Sequence, residues 1–364
     1  MNDFLHGGNL REAQDKYGIS RKKIVDFSAS INPLGLSFGF KRLIYNKVEN
    51  IKNYPDSENK QLTGILADKL KLHPDNIIIG NGSNELIYLL LNYFFPKKVI
   101  IPIPSYSEYE RASLAAGASC AFVKILGGNR TDFDLKNILS SYDKDSGLLF
   151  ICNPQNPTGK LWEKEELEYL IKECQQFGIL ILVDEAFISF IPDEEKYSVV
   201  DLLKSYNNLI VLGSMTKIYA IPGLRLGYLL GSKEIIIKLK SKQPNWQVNS
   251  LAQDIGPYML RNSKYLLKSK NLIPKLKDHF YQELNEFDWI NPQYPSVNFI
   301  FCKLKGSITN SKKLGEYLIK KHKILIRDCS NFRGLDKSYI RLAVKSRKEN
   351  LELIRCLKEF EKGL

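Results

Sequence analysis

The 364-residue chain predicts an α/β fold, with a large, mostly parallel sheet domain followed by a smaller α+β C-terminal domain. Three observations carry this. Apolar runs at residues 148–152, 179–183 and 209–212 each end in polar residues. They recur at roughly 30-residue spacing, as the strands of βαβ units do. A helix-patterned stretch, 164–176, separates the first two.

The remaining elements follow in chain order. Residues 1–25 read as an N-terminal arm, expected to close over the site the strands build. Residues 26–245 form the large domain; the alternating pattern runs from about residue 45, and segment 26–44 either belongs to it or packs with the small domain. The segment Gly82-Ser83-Asn84-Glu85 precedes an apolar helix at 86–95. Gln243-Pro244-Asn245-Trp246 marks the domain boundary, and 246–364 forms the small domain. Its expected elements are strands at 297–304 and 324–327 and a closing helix at 348–360. No internal repeat or low-complexity segment is present.

In open parallel sheets ligands bind outside the carboxyl ends of the strands, where the polar residues after these runs fall. Ser214-Met215-Thr216-Lys217 follows the third run, and Arg225 comes eight residues after the lysine. A lysine so situated can condense with an aldehyde cofactor, while two hydroxyls and a guanidinium hold a phosphate. Pyridoxal 5'-phosphate needs that combination. Asp184 ends the second run and can keep a pyridinium nitrogen protonated. Asn156, in Asn153-Pro154-Gln155-Asn156-Pro157 after the first run, can donate to the ring oxygen. Gly82, Ser83 and Asn84 open a helix whose free N–H groups suit a phosphate; taken alone, Ser83 or Asn84 could simply be an N-cap. Tyr106 is a candidate to stack on the cofactor ring.

The order and spacing of these motifs resemble the fold-type I pyridoxal phosphate enzymes, in the branch that contains histidinol-phosphate aminotransferase. The resemblance runs from about Asp26 to Arg341. It implies that Lys217 is the cofactor lysine, that Asp184 and Asn156 hold the ring, and that Ser214, Thr216, Arg225 and the Gly82-Ser83-Asn84 turn hold the phosphate. Tyr54, in Tyr54-Pro55-Asp56, resembles the tyrosine that reaches the other subunit's cofactor phosphate, which implies a homodimer. Phe187 stands where such transaminases usually carry a tyrosine, so one hydrogen bond to the ring oxygen is absent.

The chain's ends resemble the threonine-phosphate decarboxylase family of cobalamin biosynthesis. The residues that carry this are His6-Gly7-Gly8-Asn9 and Asp26-Phe27-Ser28-Ala29-Ser30-Ile31-Asn32-Pro33-Leu34-Gly35, with Arg327 and Arg341 toward the other end. The resemblance implies a phosphorylated amino-acid substrate whose anions Arg327 and Arg341 take, with His6, Gly7 and Asn156 completing the pocket. Fork-shaped guanidinium suits both carboxylate and phosphate. Ser30 stands where the family pattern has an asparagine at a substrate contact. This leaves O-phospho-L-threonine and O-phospho-L-serine both open. Whichever bond at the substrate Cα stands perpendicular to the ring is the one that breaks. The resemblance makes decarboxylation the leading expectation, and histidinol-phosphate-type transamination is the alternative.

Composition bounds the rest. No apolar run reaches the length of a membrane span and no signal-peptide layout opens the chain, so a cytoplasmic enzyme with no membrane partner is expected. The six cysteines lack CxxC spacing and the four histidines are dispersed, so no disulfide framework and no metal are expected. The net charge of +13 is spread along the chain without a nucleic-acid-binding signature. A basic surface would steer an anionic substrate instead. A cofactor-binding DNA regulator would need a helix-turn-helix module, for which the arm is too short.

Overall fold

The computed structural model describes residues 6–363 except 37, 126–134, 307 and 308. The first strand, β1 (Val25–Asp26), lies apart from the large sheet. That sheet contains β2 (Ile77–Gly80), β3 (Lys98–Ile103), β4 (Ser119–Lys124), β5 (Ser146–Cys152), β6 (Leu180–Asp184), β7 (Leu209–Ser214) and β8 (Gly227–Leu230). Their order is β2-β8-β7-β6-β5-β3-β4. Strands β4, β3, β5, β6 and β7 are parallel, and β8 runs antiparallel to both of its neighbours.

These strands read as near-continuous apolar runs because helices cover both faces of the sheet. Alternate residues feed two cores. Leu149, Ile181 and Val211 pack on one side, while Leu148, Leu182 and Ile210 pack on the other. The helix Lys164–Gln176 buries Leu167, Leu170, Ile171 and Cys174, an i, i+3, i+4, i+7 stripe, and Glu163 and Glu166 form a capping box at its start.

The second sheet contains β9 (Ile290–Pro292), β10 (Phe299–Leu304), β12 (Arg327–Asp328) and β13 (Tyr339–Ala343), in the order β12-β13-β10-β9. The short β11 (Ile324–Leu325) pairs in parallel with β1 instead. The stretch expected as one strand at 324–327 is thus two strands in two sheets, separated at Ile326. Phe27, next to β1, packs in the small-sheet core with Phe280 and Ile300, so this early segment docks on the C-terminal part of the chain.

The helix after residue 245 packs differently from the sheet that follows it. Ser250–Arg261 buries Ala252, Ile255 and Met259 in the core beneath the large sheet. The helix Ser263–Asn285 then contributes Ile273 to that core and Phe280 and Leu284 to the small-sheet core. It ties the two together. In the arm, the helix Leu10–Tyr17 buries Ala13 against Ile319 and Leu325. All six cysteines are free, and among the described residues no His, Cys, Asp or Glu cluster could hold a metal. Among them, too, no helix is long and apolar enough to cross a membrane.

Candidate active site

The antiparallel β8 determines the phosphate side of the site. Its first residue, Gly227, is paired with Ser214 at the end of β7 and with Gly80 at the end of β2. Its N-terminal end therefore lies among the carboxyl ends of its neighbours, and Arg225 arrives between the Ser214 loop and the Gly82 turn. The fit is close. Gly82 has φ +83°, and a Cβ there would run into the Arg225 guanidinium. A Cβ on Gly227 would collide with the backbone of Gly82 and Ser83. The helix Ser83–Phe94 starts from Gly82, and no side chain caps it. Ser83 and Asn84 are thus its first residues and not its cap, and their N–H groups point out of the helix end, as an anion requires. Ser214 Oγ and Thr216 Oγ1 lie 2.8 Å apart, and Lys217 Nζ donates to Thr216 Oγ1 at 3.3 Å.

Lys217 is partly open to the cleft, and its amine is lowered to about 8, first by burial and then by the charges of Arg225 and Arg341, against the pull of Asp184. Asp184 is 6 % exposed. It accepts from Tyr109 Oη at 2.6 Å and from Ala186 N at 2.9 Å. Burial pushes its carboxyl upward, and these two donors oppose that. Tyr109 in turn lies flat against Phe150, ring centroids 4.6 Å apart. Tyr106 sits one helical turn before Tyr109 and edge-on to it, with ring centroids 5.6 Å apart. Phe187 is buried edge-on against Phe299.

The substrate side is built from the other sheet. Arg341 on β13 is 6 % exposed, donates from Nη1 to Asn156 Oδ1 at 2.5 Å and from Nη2 to the Ser28 carbonyl at 3.1 Å, and leaves Nε buried without a partner. Burial, with the charge of Arg327, lowers it to about 10, so it stays charged at neutral pH. Arg327 is its register partner across β12 and β13. It is 4 % exposed and donates to the Asp328 carbonyl and to Asn331 Oδ1, at 2.6 and 2.8 Å.

The arm reaches this side. Gly8 N donates to Ser28 Oγ at 2.8 Å, and Gly7 approaches the Ser28 carbonyl so closely that a Cβ would not fit. His6 Nε2 is 2.8 Å from Glu108 Oε1, and its ring lies 5.6 Å from that of Tyr106. Ser30 is 2 % exposed, its Oγ without a partner. His6, Gly7, Ser28, Arg327 and Asn331 line a cavity of about 370 Å³.

The structure brings the cofactor residues named from the sequence, apart from Tyr54, to one end of the large sheet, and links His6, Gly7 and Arg341 to them through Glu108, Ser28 and Asn156. The Tyr54 side chain is 81 % exposed against the ring of Trp246, 4.6 Å away. Sequence reasoning missed Tyr109, Ser28 and Glu108. The helical spacing from Tyr106 is a signal for Tyr109; nothing local marks Ser28 or Glu108.

The donor set fits pyridoxal 5'-phosphate. An uncapped helix N-terminus, two hydroxyls and Arg225 suit its phosphate, Lys217 its aldehyde, and Asp184 its ring nitrogen. The profile of the family "Aminotransferase class I and II" matches residues 22–357, and the chain belongs to that family. It is a pyridoxal phosphate-dependent enzyme of fold type I. Within the family it is similar to threonine-phosphate decarboxylases. The Salmonella typhimurium protein of that name is 33 % identical over 99 % of this chain and 97 % of its own length. A protein of Caldanaerobacter subterraneus subsp. tengcongensis, provisionally given the same name, is 36 % identical over 100 % of this chain and 96 % of its own. Among solved structures, the histidinol-phosphate aminotransferase from Clostridium acetobutylicum matches with a TM-score of 0.85 and 35 % identity, over 93 % of this chain and 99 % of that one.

Proposed function

We propose that the chain decarboxylates an O-phosphorylated amino acid, with O-phospho-L-threonine as substrate and (R)-1-aminopropan-2-yl phosphate as product, the linker precursor of cobalamin biosynthesis. O-phospho-L-serine, one methyl smaller, would give ethanolamine phosphate. A methyl is worth only about 1–3 kcal/mol in a pocket, so the two substrates should overlap. The observation that carries the reading is the buried Arg341, whose two bonded nitrogens are held by neutral oxygens, beside Arg327. Two adjacent guanidiniums suit a substrate with two anionic groups. The names of the relatives at 33 and 36 % identity support it.

The bound cofactor supplies an electron sink conjugated to the substrate amine. Asp184 would hold the cofactor's protonated ring nitrogen, and Tyr109 Oη orients that carboxylate by its hydrogen bond. Asn156 is shared between the ring side and Arg341, so the guanidinium's position is tied to the ring. Arg341 and Arg327 would bind the substrate's two anionic groups and so orient the bond from Cα to its carboxylate toward cleavage as carbon dioxide. Lys217, with an amine lowered to about 8, then delivers a proton from Nζ to Cα. Tyr54, exposed on its own chain, would serve a partner's phosphate cradle in a homodimer. The enzyme would act in the cytoplasm.

A second reading, histidinol-phosphate-type transamination, is favoured by the 35 % identity to the Clostridium acetobutylicum structure. One assay separates the two: carbon dioxide release from O-phospho-L-threonine and O-phospho-L-serine, with and without 2-oxoglutarate. Release without the oxo acid is expected. Conversion of histidinol phosphate only when oxoglutarate is present would refute the decarboxylase.

A further inference from the structure

Glu108 is a buried carboxylate with no part in the chemistry above. It is the second residue of the helix Ser107–Ala115 and 3 % exposed. Its two oxygens face different elements. Oε1 meets His6 Nε2 at 2.8 Å, from the arm, and Arg111 Nη1 at 3.4 Å. Oε2 accepts from Asn84 Nδ2 at 3.3 Å and from Tyr88 Oη at 3.2 Å, both on the helix that begins at the phosphate cradle. Burial alone would raise its carboxyl, but hydrogen bonds from His6 and Asn84 outweigh that and hold it below the usual range. A charge this deeply buried is costly unless several donors satisfy it, and here donors from two separate parts of the chain do so.

The arm is anchored a second time. Immediately after His6, Gly7 lies against the Ser28 carbonyl and Gly8 N bonds Ser28 Oγ. The same carbonyl accepts from Arg341 Nη2. A continuous path thus runs from the cofactor-phosphate helix through Glu108 and His6 to Ser28 and the substrate-side guanidinium.

We propose that Glu108 is a positioning residue: its carboxylate fastens the N-terminal arm to the helix that opens the phosphate cradle, and so fixes His6 and Gly7 beside Ser28, whose carbonyl holds Arg341. The link to substrate rests on the phosphoamino-acid reading; the fastening of the arm does not. Arg111, 67 % exposed, is a bystander to the fastening.

The test uses the cofactor-loaded enzyme and the variants Glu108→Gln, His6→Ala, their double variant and Arg111→Ala. Hydrogen exchange is read at the amides of residues 7–10, and KM and kcat for O-phospho-L-threonine are measured. Losing a hydrogen bond to a buried charge corresponds to roughly 10–100-fold in an equilibrium. Glu108→Gln should therefore speed arm exchange by about tenfold or more and raise KM by a similar factor, with kcat changed by less than about threefold. The cofactor's visible absorbance should be retained. The double variant should be no worse than His6→Ala alone, because both remove one contact, and Arg111→Ala should resemble the parent.

Unchanged arm exchange in Glu108→Gln overturns the proposal. Faster exchange with unchanged KM overturns the link to substrate. Should Glu108→Gln fail to fold, His6→Ala leaves Glu108 in place and must open the arm by itself; if it does not, the proposal is wrong. Exchange needs no substrate, so inactivity of the parent toward phosphoamino acids would refute the proposed function without touching the fastening.

Discussion

Replacing Arg341 with methionine should nearly abolish activity while leaving the fold almost intact. In the structure the guanidinium is 6 % exposed and held at about 10, against an ordinary value of 12.5. Its charged form is therefore disfavoured in the fold by about 3 kcal/mol at neutral pH. Methionine removes that penalty. It also leaves Asn156 Oδ1 and the Ser28 carbonyl without their donor, at about 2 kcal/mol each, or about 4 in all. The two effects oppose each other and are of similar size, so Tm should shift by only a few degrees, about 5 °C at most. Activity has no such offset. If Arg341 holds a substrate anion by a charge-assisted contact, as proposed, its loss should lower kcat/KM by roughly 100- to 1000-fold. Thermal unfolding and carbon dioxide release from O-phospho-L-threonine read the two quantities. A Tm drop beyond about 10 °C would show that Arg341 is structural. Activity within about fivefold of the parent would show that it does not meet the substrate.

Three further outcomes are expected. With its amine lowered to about 8, Lys217 should take up pyridoxal phosphate in the apoenzyme at a rate that climbs about tenfold per pH unit below that value and levels above it. Stopped-flow absorbance checks this: a climb continuing past pH 10 would mean an unperturbed lysine, and Lys217→Ala should form no visible-absorbing adduct. Gly82→Ala puts a Cβ against Arg225 at φ +83°, a strain of about 1–3 kcal/mol. The cofactor Kd, measured by equilibrium dialysis, should rise about tenfold or more, and an unchanged value would remove Arg225 from the cradle. Ser30→Asn adds an amide at a buried position whose hydroxyl has no partner. It should shift the phosphothreonine-to-phosphoserine ratio of kcat/KM by about tenfold; an unchanged ratio means the position does not read the substrate.

Much of the cofactor side was legible because its residues immediately follow strands. Asp184 ends β6, Asn156 lies four residues past β5, and Lys217 three residues past β7. Local sequence carries both the apolar strand and its polar end, so position relative to the sheet follows from pattern alone. The helix expected at 164–176 is the helix observed, because periodicity and cap are both local. The stretch at 324–327 was less legible. A short apolar run does not say which neighbour each half will pair with, and here Ile324 pairs with Val25 while Arg327 pairs with Arg341.

By itself, then, the sequence determined the strand-end chemistry: a lysine, an aspartate and an asparagine at the carboxyl edge of a parallel sheet, and the cofactor they call for. The tertiary structure alone decided which distant groups meet them. The reversed β8 carries Arg225 to the Gly82 turn. Arg341 crosses 185 positions of sequence to reach Asn156, and His6 crosses 102 to reach Glu108. Tyr109 steadies Asp184 from a helix 75 positions away. The physical reason is the same each time. Strand and helix signals arise from neighbours in the chain, whereas a buried charge takes its partners from whatever the packing of separate elements brings within hydrogen-bonding distance.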